Sequence, residues 1–257
     1  MSVWEALLVI ASGIGAGTIN TIVGSGSLIT FPTLLLVGVP PLTANISNNL
    51  GMLPGGVSGT WGYRRELAGR WRALGALLPF SIAGAAAGAV LLLVLPPAAF
   101  AAIVPVLIAF GLLLVIFGPR WQSWSAAHHH ESGQAPAWHG RALGVALVLA
   151  AAYGGYFGAA QGVILMGLLS TLAVGSLQEL TGWKNVLASV ANLVAAIVFV
   201  VLAPEQVDWL IVALVGAGTL IGGFLGAGVG RRLPPTVLRG TIIAVGILAM
   251  AKLVFFA

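Results

Sequence analysis

Asn45, Asn48 and Asn49 fall at i, i+3 and i+4, and Asn185, Ser189 and Asn192 fall at i, i+4 and i+7, so each set shares one face of a helix. Neutral amides and hydroxyls supply hydrogen-bond donors and acceptors without a fixed charge. That chemistry suits replacing the water around a small oxyanion. Facing hydrocarbon, the same groups would be costly to desolvate, so they must face a helix bundle or a wet cavity. Lining a substrate path and gluing helices together are both open to them.

A second constellation is Gly13-Ile-Gly-Ala-Gly-Thr-Ile-Asn-Thr-Ile-Val-Gly-Ser-Gly-Ser27. Its glycines imitate a dinucleotide-binding loop, but no strand precedes them, no acidic residue follows at the required distance and no P-loop lysine follows. The physical reading is a helix that breaks at Gly24–Gly26, with Ser25 or Ser27 capping a new helix toward Pro32. Free amide groups at such a start attract anions. The plainer alternative is a glycine-rich packing face with a kink. In the second half, Gly154-Gly-Tyr-Phe-Gly-Ala-Ala-Gln-Gly162 offers Gly158 and Gln161 opposite Gly17 and Asn20 at a spacing of 141. Each half would then place an amide after a close-packing glycine, either on an anion or on a neighbouring helix. The same spacing sets Gly24–Ser27 against Leu165–Leu168, which makes the halves unequal.

Lys184, the one lysine besides Lys252, is read either as an interfacial cation or as a lure for an anion, with Glu179 as its partner. Trp183, Tyr153 and Tyr156 are read as interfacial or packing aromatics. Gly218, Gly222, Gly226 and Gly230 repeat every four residues and mark a packing face. His128–His130 with Glu131 reads as a solvated linker more readily than as a metal site, and no metal or cofactor is expected. Catalytic triads, zinc-protease helices and paired carboxylates are absent from the sequence, so an enzyme is not expected.

The elements that position these residues follow from composition. Of 257 residues, 59% are hydrophobic and 7% charged, with mean hydropathy +1.07, whereas a soluble domain carries about 25% charged residues. The bilayer is the solvent for such a chain, and helices span it because each satisfies its own backbone. The formal charge of +5 comes mainly from connections, where basic residues set membrane orientation rather than bind nucleic acid. Without cysteine, disulfides and thiolate chemistry are excluded. The start, Met1-Ser-Val-Trp-Glu5, lacks a basic region, so no cleaved signal peptide is expected.

Apolar segments run at about 3–23, 27–39, 44–61, 73–95, 98–117, 141–157, 158–175, 183–203, 207–230 and 236–256. The 27–39 segment is too short for the ~20 residues of a full crossing and suits a re-entrant helix. The expected fold is an all-α polytopic membrane protein with a first repeat at 1–117, a cytoplasmic linker at 118–140 and a second repeat at 141–257. Asn45, Asn49 and Met52 lie opposite Asn185, Ser189 and Asn192 at a spacing of 140, and Ser81, Gly84 and Gly88 opposite Thr219, Gly222 and Gly226 at 138. Equivalent connections differ in charge: 62–72 holds Arg64, Arg65, Arg70 and Arg72 against Glu66, while 203–208 holds Glu205 and Asp208. Conversely, 95–98 is neutral and its partner carries Arg231, Arg232 and Arg239. About five segments per half, with broken or re-entrant helices near mid-membrane, would make the two repeats inverted, with both termini outside. Pro54, Pro79 and Pro105 lie in first-half spans whose counterparts lack them, pointing to kinks and a more mobile half.

On the Gly13–Ser27 segment continuing through Phe31-Pro32, the Ala44-Asn45 helix start, and Trp183-Lys184-Asn185 with Ser189 and Asn192, the chain resembles the TauE/SafE sulfite and sulfonate exporter family across residues 5–255. The resemblance implies a bacterial or archaeal plasma-membrane permease for small sulfur-containing anions. The expected function is export of sulfite or a small organosulfonate by alternating access. Uptake of sulfonate, thiosulfate or another small anion is the alternative, and an anion channel a further one. The expected substrate contacts are Asn20, Ser25, Gly26, Ser27, Asn48, Asn49, Gln161, Lys184, Asn185, Ser189 and Asn192.

Overall fold

A computed structural model describes residues 1–129, 137–173, 175–228 and 240–248, with side chains omitted from 121 to 141. The order is α1 (Val3–Ile22), α2 (Ser27–Leu36), α3 (Pro41–Gly62), α4 (Trp71–Val94), α5 (Pro97–His129), α6 (Ala137–Tyr156), α7 (Gln161–Leu172), α8 (Leu177–Leu202) and α9 (Trp209–Gly228), with a 3₁₀ turn at Pro204–Gln206. Residues 240–248 are also helical. Among the described residues α1, α4, α8, α9 and the Pro97–Arg120 part of α5 are long and apolar enough to cross a bilayer. α2 and α7, with 10 and 12 residues, reach about 15–18 Å at 1.5 Å per residue, half of a hydrocarbon core.

The helix starts are locally encoded. Ser2 and Glu5 form a capping box on α1, with Glu5 N–H donating to Ser2 Oγ at 3.2 Å and Ser2 N–H to Glu5 Oε2 at 2.6 Å. Ser176 and Glu179 repeat it on α8. Asp208 Oδ1 accepts from Leu210 and Ile211 N–H at 3.0 and 3.1 Å to begin α9. Helices continue through Pro54, Pro79 and Pro105. α5 also continues to His129, so the expected linker at 118–140 is helical at both edges; Pro119 does not stop it. The side chains of His128, His129, His130 and Glu131, and Gly230, Arg231, Arg232 and Arg239 as a whole, lie outside the described residues.

The fourth helix of each half packs on the opposite half. α9 lies along α1 and α3, whereas α4 lies along α6 and α8. Glycines set these contacts. Gly13 faces Val215 and Gly218, Gly17 faces Thr219 and Gly223, and Gly226 faces Thr18 and Thr21, so α1 and α9 run parallel at backbone distance. Gly84 meets Val148 and Ala152 while Gly88 meets Ala152 and Tyr156, so α4 and α6 are parallel too. Ser81 Oγ donates to Leu187 O at 3.0 Å, and Thr219 Oγ1 to Gly51 O at 2.6 Å, each fastening a fourth helix to the third helix of the other half. α3 and α8 cross antiparallel: Thr43 bonds Gln206, Asn49 bonds Asn192, Gly56 touches Ser189 and Tyr63 lies by Gly182.

Candidate functional site: two helix breaks joined at Gly24 and Gly162

The two broken helices are built alike. At the end of α1, Val23 and Gly24 N–H both donate to Ile19 O, at 2.7 and 3.2 Å. At the end of α6, Phe157 and Gly158 N–H both donate to Tyr153 O, at 2.9 and 3.1 Å. Gly24 and Gly158 then take positive φ, 86° and 76°, which glycine adopts without steric cost. Two residues later come the helix caps, Gly26 and Ala160, and then the first residues of α2 and α7, Ser27 and Gln161.

This overturns the expected spacing of 141. Ile19 corresponds to Tyr153, Gly24 to Gly158 and Ser27 to Gln161, a spacing of 134. Asn20 therefore lies inside α1, opposite Gly154, and not opposite Gln161. Ser25 and Gly26 correspond to Ala159 and Ala160, not to residues within α7. Sequence matching favoured glycine and amide identity over backbone conformation. A side chain one turn before a break and one just after it can reach the same space. Asn20 Oδ1 accepts from Gly26 N–H at 3.4 Å, reaching forward across its break. The Gln161 carboxamide reaches back onto Gly154.

The breaks touch. Gly162 N–H donates to Gly24 O at 2.9 Å, and neither glycine leaves room for a side chain. The starts of α2 and α7 thus converge on one point, and the partial positive charge of each helix start is directed there. Beside it, Ser25 and Gln161 are 0% and 2% exposed, and Asn48 on α3 is 2% exposed. Ser25 Oγ, Gln161 Nε2, Asn48 Oδ1 and Asn49 Oδ1 are buried without a hydrogen-bond partner. Unpaired polar atoms at such depth are costly and call for a ligand or water. Ser27 is also buried, as the first residue of α2.

Lys184 is not an interfacial cation. It is 1% exposed and seven residues into α8. Its Nζ donates to Asn20 O, Thr21 O and Ile22 O at 3.0, 3.2 and 3.4 Å. Those are the orphan carbonyls at the end of α1, so the ammonium neutralises the negative pole of that helix. Asn185 Nδ2 adds a bond to Thr21 O at 3.2 Å. Glu179 is not its partner: it pairs with Arg70 at 2.8 Å, tying the starts of α4 and α8 together. The other break is held more lightly. Asn45 Nδ2 donates to Tyr156 O at 3.0 Å, and Ala44 stands where α8 has Lys184.

Ser189 and Asn192 belong to the seam between α3 and α8. Ser189 Oγ donates to Asn185 O at 2.7 Å on its own helix, and Asn192 Oδ1 accepts from Asn49 at 3.4 Å. Tyr153 is a packing aromatic whose ring meets Phe157 and Phe110, and its hydroxyl also donates to Ala159 O at 2.7 Å. Sequence reasoning marked the break at Gly24 but missed the matching break at Gly158 and the contact of Gly24 with Gly162. The signal available was a glycine eight residues before Pro32 in one half and before Met166 in the other.

A family model described as "Sulfite exporter TauE/SafE" matches residues 9–253. A "Probable membrane transporter protein" of Haemophilus influenzae is 28% identical over 243 residues, covering 95% of this chain and 92% of that protein. A "Probable membrane transporter protein ORF9" of Sinorhizobium sp is 33% identical over 228 residues, covering 88% and 82%. "Probable membrane transporter protein YfcA" of Escherichia coli K12 is 26% identical over 249 residues, covering 93% and 86%. No solved structure matches the chain.

Proposed function

The chain belongs to the sulfite exporter TauE/SafE family of membrane transporters, and from that premise we propose that it exports sulfite or a small organosulfonate across a bacterial or archaeal plasma membrane. The observation that carries this reading is the joined pair of helix breaks, where Ser25 Oγ and the Gln161 amide nitrogen stand buried and unpartnered beside two helix starts. Such an arrangement would replace the hydration of an oxyanion with hydroxyl, amide and backbone donors. Lys184 contributes from one layer behind: by capping α1 it holds that break in shape and leaves a positive charge near it.

The inverted repeat is part of the proposal. Its supports are the matched breaks, the antiparallel α3 and α8, and the exchange of α4 and α9. Alternating access would then rock α1, α2, α3 and α9 against α4, α6, α7 and α8 about the Gly24–Gly162 contact, with the 62–72 connection cytoplasmic and both termini outside.

Direction follows from charge. The six acids lie at helix starts or in connections: Glu5, Glu66, Glu131, Glu179, Glu205 and Asp208. A carboxylate relay in mid-span has no residue to run on. An anion leaving a negative-inside cell gains about 2.3 kcal/mol per charge per 100 mV, enough to drive export without a coupled ion. Purified protein in liposomes loaded with sulfite, sulfoacetate, taurine or thiosulfate tests this. Saturable efflux, accelerated when the interior is made negative, is expected. Flux that never saturates would make the protein a channel, and accumulation that requires a cation gradient would make it an uptake permease.

A further inference from the structure

α3 and α8 touch at Gly56 and Ser189 and again where Tyr63, at the end of α3, lies by Gly182. Along this seam lies a groove of about 460 Å³. α3 lines it with Leu53, Val57 and Trp61, and α8 lines it with Val186, Val190 and Leu193. Trp61 and Trp71, 60% and 55% exposed, both line it. Tryptophans at this level mark a membrane–water boundary.

The groove does not end in apolar surface. Arg64 lines it as well, with the guanidinium 5.0 Å above the Trp61 ring and Nη1 donating to Trp61 O at 3.1 Å. Arg64 also lines a second, polar cavity of about 310 Å³, together with Arg65, Glu66, Gly62 and Ala227. An apolar trough thus runs into a basic cup through one shared arginine. In the connection as a whole Arg64, Arg65, Arg70 and Arg72 outnumber the single acid Glu66, and Arg70 is engaged by Glu179. A ligand that fills both parts needs a long hydrocarbon tail and an anionic head.

We propose that this site binds one anionic phospholipid, its acyl chain in the α3–α8 groove and its phosphate on Arg64 and Arg65. Glu66 in the cup disfavours heads carrying additional negative charge, so a singly charged head such as phosphatidylglycerol fits best. The groove sits on the seam between the two groups of helices, so an acyl chain seated there bears on both of them. The lipid is therefore a regulator of the moving interface and not a transported species. The lipid site stands on the groove and the cup, whereas the regulatory role rests on the rocking motion proposed above.

Native mass spectrometry of the purified, delipidated protein with phosphatidylglycerol, phosphatidylethanolamine or phosphatidylcholine reads the site without measuring flux. One phosphatidylglycerol is expected to be retained in preference to the other two. Each of Arg64→Gln and Arg65→Gln should lower its retention about fivefold, the typical weight of a basic residue at an anionic lipid surface. Val57→Trp, at a position 67% exposed and outside the helix breaks, should fill the groove and expel the lipid while the protein keeps its thermal stability in phosphatidylcholine. Equal retention of the three lipids, or phosphatidylglycerol retention unchanged in Arg64→Gln/Arg65→Gln and in Val57→Trp, would overturn the proposal.

Discussion

Asn20 and Gln161 look alike in sequence and are set apart by one hydrogen bond. Asn20 Oδ1 is occupied by Gly26 N–H, whereas Gln161 Nε2 is buried with no partner. If the joined breaks hold the substrate, Gln161→Ala should weaken substrate binding by about 1.5–3 kcal/mol, the worth of a hydrogen bond to a charged group. Asn20→Ala should lower stability by only about 0.6 kcal/mol, the average for a hydrogen bond within a membrane bundle, with affinity nearly unchanged. Isothermal titration with sulfite, run beside thermal melts of both variants, separates the two; affinity loss confined to Asn20→Ala would move the site. Lys184 makes a stronger statement. Lys184→Met strands the carbonyls of Asn20 and Ile22, while Asn185 still serves Thr21 O. Buried unpaired groups of this kind cost about 1–3 kcal/mol each. The expected outcome is a lower melting temperature for Lys184→Met than for Asn45→Ala, which removes one bond at the other break. Equal melting temperatures would show that the ammonium is not structural.

Elements hold these side chains in place because their glycines allow backbones to meet. A methyl group on Gly222 would run into Ile14 O and Thr18 N of α1, while one on Gly15 would meet nothing. Gly222→Ala should therefore separate α1 from α9 and destabilise the protein by about 1–3 kcal/mol, the usual cost of overpacking. Gly15→Ala should be neutral or stabilising by up to about 1 kcal/mol, because alanine is the better helix former. Paired thermal melts in detergent check the contrast, and a Gly222→Ala protein as stable as Gly15→Ala would mean that the α1–α9 contact is loose. The lengths of α2 and α7 matter in the same way. As half-helices they bring their starts into the interior, where the Gly162–Gly24 bond joins them.

For the whole molecule, exchange of the fourth helices makes each group of helices a composite of both sequence halves. Rocking one group against the other would then pull on the α3–α4 and α8–α9 connections. The topology this requires places Arg65 on the cytoplasmic side and Glu205 outside. Because the protein has no cysteine, single cysteines at Arg65 and Glu205 report sidedness directly. A membrane-impermeant maleimide should label the first only from the cytoplasm and the second only from outside. Labelling of both from one face would end the inverted arrangement.

Composition and periodicity alone were enough to establish a helical membrane protein and the short element that begins at Ser27. These depend on local quantities: hydropathy, spacing and turn chemistry. The break at Gly24–Gly26 was legible for the same reason, since glycine and serine act on their own backbone. The partners were not legible. Lys184 reads as a surface cation because nothing near it in sequence reveals that Asn20, Thr21 and Ile22, more than 160 residues away, present it with carbonyls. The 141 spacing failed because residue identity was matched where backbone conformation was what repeated: Gly24 with Gly158 at positive φ, Ser27 with Gln161 at a helix start. Exchange of α4 and α9 lay equally beyond the sequence. Small residues state that a helix can be approached closely, and only the folded bundle decides which helix approaches.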